Sequence, residues 1–313
     1  MRRLLVLLLL TLVTAAACGA PRVQPAPQFV EAGGDPVLIA AGDIASCSST
    51  GDEATAAILG TVSGAIATLG DNVYDSGTAS EFTNCYAPTW GQRLADTHPA
   101  PGNHDYVTAN AAGYFGYFGA AAGNPATGYY SYNLGAWHII VINSNCVNIG
   151  GCGAGSPQET WLRADLAANP TACTLAYWHH PRYSSGATHG SQTFMQPIWQ
   201  ALYDYGADVV LGGHEHNYER FALQGANGGA DPFGIRQFVV GTGGRSHYGF
   251  GVTLGNSEVR NSDTYGVLAL TLHPDGYDWQ FLREAGKTFT DSGTTACHGT
   301  SQAVMGGADR DGS

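Results

Sequence analysis

Short apolar runs recur along the chain at residues 37–41, 65–69, 137–142, 174–178, 209–211, 238–240 and 267–272. Each is long enough for a buried strand and too short for a helix. Helical patterns lie between them, the clearest over 156–168. There Ser156 is placed to cap, Pro157 suits the first helical position, Glu159 completes a capping box, and Trp161, Leu162 and Leu166 form an apolar stripe. Residues 52–62 and 193–205, the latter closed by Gly206, carry weaker versions of the same signal. Strands mixed with helices predict an α/β architecture, and no shift in composition marks a second domain.

The polar residues just beyond the apolar runs point to a site. The first run leads into Gly42 and Asp43, the second into Gly70, Asp71, Asn72 and Tyr74, the fourth into His179 and His180. The fifth leads through Gly212 and Gly213 to His214 and His216, whose spacing puts both imidazoles on one side of an extended segment. A further turn, residues 101–105, reads PGNHD. In open α/β sheets ligands gather at the carboxyl ends of strands, where these groups fall. Each alone admits an ordinary role: Asp43 or Asp71 as a helix cap, Asn103 in a turn, Tyr74 packed, the histidines solvated. Together, Asp43, Asp71, Tyr74, Asn103, His179, His214 and His216 form an oxygen and nitrogen donor set. It is too large for one ion and suited to two that share a carboxylate, with Fe, Mn or Zn fitting the donors.

The order GDI (42–44), GDNVY (70–74), GNHD (102–105), HHP (179–181) and GHEH (213–216) resembles the calcineurin-like metallophosphoesterases. Tyr74 within GDNVY, together with GHEHNYER (213–220), resembles their purple acid phosphatase branch, over residues 37–285. The resemblance implies a metallophosphatase-type two-sheet β-sandwich flanked by helices, as a single domain. It implies that Asp43, Tyr74 and His216 hold a first metal, that Asn103, His179 and His214 hold a second, and that Asp71 bridges them. Iron is expected at the Tyr74 position and Fe, Zn or Mn at the other. His104 would face the scissile phosphate as a general acid with Asp105 orienting it, His180 would sit behind the ligands or face substrate, and His189 would lie on the substrate side. Ala45 stands where many members have Gly or His, and the extra N-terminal β-domain of large plant members is not expected.

The implied activity is hydrolysis of small-molecule phosphomonoesters by metal-activated hydroxide. Phosphodiesterase action, including cleavage of nucleotides or phospholipids, uses the same metal pair and stays open, as does a surface binding protein that kept the fold and lost catalysis. Arg182, Arg245, His98, His138, His247 and His273 read as surface or structural residues, since no motif fixes them. The run GTGG at 241–244 either brings backbone close to the site or merely turns the chain.

Charge and cysteine usage set the compartment. With a net charge of −12 and Lys287 as its only lysine, the chain is poorly equipped for nucleic acid. Arg2 and Arg3, an apolar run from Leu4 to Val13 and small residues at 15–17 read as a signal peptide over residues 1–17. Cys18 then resembles a bacterial lipoprotein processing site, although Ala15 replaces the usual Leu; a lipid there would be the sole membrane anchor. Residues 18–36 read as a tether, 37–298 as the catalytic domain and 299–313 as a disordered tail. The protein is expected to be exported, and either released or held at the cell surface. Setting Cys18 aside leaves six cysteines, which an exported chain would use as disulfides. Cys47 and Cys85 each follow a ligand-bearing strand end and are expected to pair, with Cys146 joined to Cys152 and Cys173 to Cys297.

Overall fold

The computed structural model describes residues 34–298. The expected signal peptide, Cys18 with most of the tether, and the tail at 299–313 lie outside the described residues. Two sheets face each other. The first has six strands in the order Ser292–Ala296, Gly276–Arg283, Gly266–His273, Val37–Ala41, Ala65–Leu69 and Thr97–Ala100, of which the last three run parallel. The second has seven, in the order Ser257–Asn261, Tyr218–Gln224, Ile235–Val240, Val209–Gly212, Cys173–Trp178, Trp137–Val141 and Tyr130–Leu134. Its four strands from Ile235–Val240 to Trp137–Val141 are parallel, and antiparallel partners close both edges.

The apolar runs form strands because both faces of the second sheet are covered. Alternate residues Cys173, Leu175 and Tyr177 enter the core between the sheets, whereas Ala176 and Trp178 enter a second core on the outer face. Val209 and Leu211 divide from Val210 in the same way. That outer core is completed by Leu162 and Leu166 of the Pro157–Ala168 helix and by Ile198, Trp199 and Leu202 of the Gln196–Asp204 helix. The Gly51–Leu59 helix packs on the six-stranded sheet. This is the sandwich flanked by helices that the motifs imply.

Two local expectations change. Ser156 caps its helix by accepting from Glu159 N at 3.3 Å, but no capping box forms, because the Glu159 carboxylate accepts from Gly155 N at 2.9 Å instead. The turn at 101–105 proves to be a strand end too, since Thr97–Ala100 pairs with Ala65–Leu69. Pro99 is tolerated there because the strand lies at the sheet edge. The three expected disulfides are present, with Cα–Cα separations of 4.9 Å for Cys47–Cys85, 5.2 Å for Cys146–Cys152 and 5.5 Å for Cys173–Cys297.

At one end the sheets are sewn together. Gly42 N donates to Val240 O at 2.9 Å, and Gly243 N donates back to Gly42 O at 2.9 Å. A Cβ on Gly243 would stand 2.4 Å from Gly42 O, so the GTGG run serves close backbone approach.

Candidate metal centre

The parallel strands of both sheets deliver their carboxyl ends to this seam. Val37–Ala41 presents Asp43, Ala65–Leu69 presents Asp71, Thr97–Ala100 presents Asn103 and His104, Cys173–Trp178 presents His179 and His180, and Val209–Gly212 presents His214 and His216. Asp43 (φ 60°), Asp71 (φ 49°) and His214 (φ 71°) all occupy the left-handed region although none is glycine. Such backbone costs on the order of 1–3 kcal/mol per residue and collects at functional sites.

The donor atoms converge. Tyr74 Oη donates to Asp43 Oδ1 at 2.8 Å, lies 3.0 Å from Asp71 Oδ2 and 3.2 Å from His216 Nε2. On the other side of Asp71, His179 Nε2 is 3.3 Å from Asp71 Oδ2, 3.0 Å from Asn103 Oδ1 and 3.1 Å from His214 Nδ1. Asp71 therefore stands between a Tyr74, Asp43, His216 group and an Asn103, His179, His214 group. The rings are held from behind. His179 Nδ1 donates to Leu69 O at 2.9 Å, and His216 Nδ1 sits 2.7 Å from Ser246 Oγ, which leaves each Nε2 facing inward. Buried oxygens and ring nitrogens rich in lone pairs, aimed at one another, fit a pair of cations. Asp43, Asp71 and His179 offer one ligand atom each within 4.8 Å of one another, and so do His179, His180 and His214. A third such group among the described residues, Cys173, Asp208 and Cys297, has its sulfurs committed to a disulfide.

Electrostatics agree with that fit. Burial, then the Asp43 and Asp71 carboxylates, pushes the Tyr74 phenol far above its ordinary range. Burial works against charge on His179, yet Asp71 raises it to about 9. Burial also opposes ionisation of Asp71, but His179 and His104 hold it below the usual carboxylate range. The carboxylates thus demand positive charge in their midst.

Around the donors stand the other expected residues. His104 N donates to Asp71 Oδ1 at 2.7 Å, its ring lies 4.4 Å from that of Tyr74, and its Nδ1 is 2.6 Å from Asp75 O. Asp105 does not hold the His104 ring directly. The Asp105 carboxylate turns inward to accept from Gly102 N at 2.8 Å and Asn72 Nδ2 at 3.0 Å, bracing two turns, and burial followed by the Asp71 charge lifts it to about 7. His180 is tied through Nδ1 to Ser144 Oγ at 2.8 Å, with its ring 4.4 Å from His214. Burial, then the His179 charge, drives it down to about 3. His189 is exposed and stacks on His214 at 4.0 Å.

Four neighbours escape motif reading. Arg245 lies over the Tyr74 ring at 5.1 Å and donates to Asp75 at 2.9 Å, so it is no mere surface residue. Tyr248 stacks on His216 at 3.9 Å, and Ser246 bonds the same ring. These three follow the 238–240 run, and the strand-end rule applied there would have flagged them. Glu215, buried between two candidate ligands, accepts from the backbone N–H of His189 and of Gly190. His98, His138, His247, His273 and Arg182 keep structural partners: Tyr132, Asp165, Tyr265, Asp35 and Gln196 respectively.

A family profile described as calcineurin-like phosphoesterase matches residues 28–218, more than half of the 313 residues. Purple acid phosphatase 15 of Arabidopsis thaliana is 34% identical over 128 residues, 39% of this chain and 23% of that protein. Acid phosphatase A of Cryphonectria parasitica is 26% identical over 215 residues, 59% of this chain and 42% of that one. The chain thus spans less than half the length of these relatives. Among solved structures, purple acid phosphatase PPD1 from yellow lupin (Lupinus luteus) seeds superposes with a TM-score of 0.67 at 17% identity, covering 87% of this chain and 55% of the other. GAP50, titled the anchor in the inner membrane complex of Plasmodium, gives 0.63 at 16% identity over 84% and 88%. Both are likenesses of fold.

Proposed function

The chain belongs to the calcineurin-like phosphoesterase family, and from that premise we propose that it is an exported phosphomonoesterase working with two metal ions. One observation carries the reading: Asp71 stands between two groups of donors, all but Asn103 buried, 3.0 Å from Tyr74 Oη and 3.3 Å from His179 Nε2. Asp43, Tyr74 and His216 would hold one ion, Asn103, His179 and His214 the other, with Asp71 shared. Bound there, the pair would supply Lewis acidity and an activated water nucleophile. Iron at the Tyr74 position fits a phenolate donor, and Fe, Zn or Mn fits the rest.

The chain's own residues do the remaining work. His104, whose Nδ1–H is held by the Asp75 carbonyl, would act as the imidazolium, giving its Nε2 proton to the leaving oxygen and remaining as the neutral Nδ1–H ring. His189, stacked on His214, closes the substrate side. Asp105 acts only by positioning, because it braces the turn that bears Asn103 and His104. Three disulfides support an oxidising, exported setting. Among the described residues no helix is long and apolar enough to cross a membrane. A lipid at Cys18 is the attachment we propose, and mass spectrometry of the mature N-terminus tests it.

Metal analysis of the purified protein, beside hydrolysis of a mono- and a diester, tests the proposal. Two ions per chain and faster monoester turnover are expected, with Tyr74→Phe bleaching any phenolate-to-iron colour. His104→Ala should keep both ions and lose roughly 100- to 10,000-fold in turnover. A faster diester would reassign the substrate class. Loaded protein that turns over neither ester would make the chain a binding protein, since fold alone does not entail catalysis.

A further inference from the structure

Beside the candidate metal centre opens a cavity of about 910 Å³, which meets the centre at Asn103 and His180. A phosphate group alone would leave most of it empty, because pockets of roughly 300–1,000 Å³ suit whole drug-sized ligands. Its wall has an unusual character for an enzyme acting on anions. Among the described residues, no Asp, Glu, Lys or Arg lines it. Most of its polar side chains are already engaged: Ser144 Oγ with His180 Nδ1 at 2.8 Å, Asn145 Nδ2 with Pro101 O at 3.2 Å, and the Tyr106 hydroxyl with Asn143 Nδ2 at 2.8 Å. Gln196 is spent twice, on Arg182 at 2.7 Å and on Ala226 O at 2.7 Å.

The surface left to greet a ligand is apolar. The Tyr106 ring and Pro197 form part of the wall, and Phe194 and Val147 stand at the rim. Phe194 is 43% exposed and Val147 96% exposed, although both are large hydrophobic side chains. Val147 is presented by the small ring that Cys146–Cys152 closes, so its exposure is held rather than incidental.

Resting on the phosphomonoesterase reading, we propose that this cavity binds the leaving alcohol, and that the preferred substrates are monoesters of uncharged, apolar alcohols at least as large as an aromatic ring. Esters whose alcohol carries a second charge find no partner in this wall and desolvate that charge without compensation.

The test uses the metal-loaded protein and two esters whose alcohols have similar acidity, benzyl phosphate and ethyl phosphate. The kcat/KM ratio of benzyl over ethyl is expected to be about 10-fold or more, the size of effect that burying a ring supplies. Phe194→Ala and Val147→Ser should each pull that ratio down severalfold, whereas Phe233→Ala, an exposed aromatic elsewhere, should not. Calorimetric binding of benzylphosphonate against ethylphosphonate should show the same preference and the same loss in Phe194→Ala. A ratio near one, or one untouched by both rim variants, overturns the inference while leaving the phosphatase standing. Absence of turnover for both esters, with the phosphonates also unbound, overturns the underlying reading and this inference with it.

Discussion

Gly102→Ala is the smallest change that tests whether the donor geometry matters. Gly102 is buried in the turn after Thr97–Ala100, and a Cβ there would stand 2.1 Å from both Asp71 N and Asp71 Oδ1. Neither atom can yield cheaply, because one is backbone and the other accepts from His104 N at 2.7 Å. Relief to an ordinary contact requires a retreat of about 1 Å by the turn that carries Asn103 and His104, and a misplacement of that size costs about 100-fold in rate. Overpacking adds about 1–3 kcal/mol of destabilisation, which at roughly 2–4 °C per kcal/mol lowers Tm by several degrees. The assay is kcat/KM on a monoester, with metal content and a melting curve on the same sample. Gly116→Ala is the companion: it sits exposed in the Ala112–Phe118 helix with nothing within 4 Å of the added methyl. It should gain about 0.5–1 kcal/mol and leave rate unchanged. Gly102→Ala with full metal and a rate within twofold of wild type would refute the idea that Asn103, His104 and Asp71 act as one constellation.

Removing Cys173–Cys297, with its separation of 124 residues, should cost about 5 kcal/mol by chain entropy, whereas Cys146–Cys152, at 6 residues, should cost about 2 kcal/mol. Denaturant midpoints of the two double-serine variants check the order, and an inversion contradicts it. Glu215→Ala strands the backbone N–H groups of His189 and Gly190, so amide exchange there should quicken at least about tenfold. KM should rise more than kcat falls, and unchanged exchange would remove Glu215 from its positioning role. Burial lifts Asp52, which is 2% exposed, to about 6 from 3.8, despite the bond from Thr89. The folded value lies above the unfolded one, so the stability that protonated Asp52 holds is full below pH 3.8 and lost as pH rises through about 6. Asp52→Asn should accordingly match wild type near pH 4 and exceed it by about 1–3 kcal/mol at pH 8, as melting curves across that range would reveal.

The runs at 37–41 and 174–178 were legible because strands covered on both faces need continuous apolar residues. Ser257–Asn261 and Ser292–Ala296 were not, because each is a sheet edge whose residues alternate between half-buried and exposed, and such polar stretches read as loop. Thr97–Ala100 was hidden for another reason: it is buried but only four residues long, and with His98 and Pro99 at its centre it carries no apolar run, which left the turn at 101–105 without a strand before it. Donor residues were readable for a different reason: each sits within a few residues of a strand end, so local order in sequence maps onto position in space. Arg245, Ser246 and Tyr248 also follow a strand end, at 238–240, but the GTGG run between hides the connection, and they reach the centre by a loop that doubles back over His216. Asp105 misled because it adjoins His104. Successive side chains in a turn point apart, and one of this pair faces the site while the other faces the core.

Asp43, Asp71 and Asn103 leave the ends of one sheet, and His179, His214 and His216 belong to the other. A cation coordinated by both sets would be a rivet through the two plates of the sandwich, added to the hydrogen bonds that clasp them at this end, among them Gly42 N to Val240 O and His179 Nδ1 to Leu69 O. On the proposed metal binding, occupancy and mechanical integrity would become one variable. A chelator would act as a slow denaturant, prying the plates apart from the seam outward. Free metal at about a thousand times its dissociation constant adds about 4 kcal/mol against opening. With the proposed export, which would put it beyond the reach of intracellular chaperones, the chain would carry its fastening in the same atoms proposed to do its chemistry.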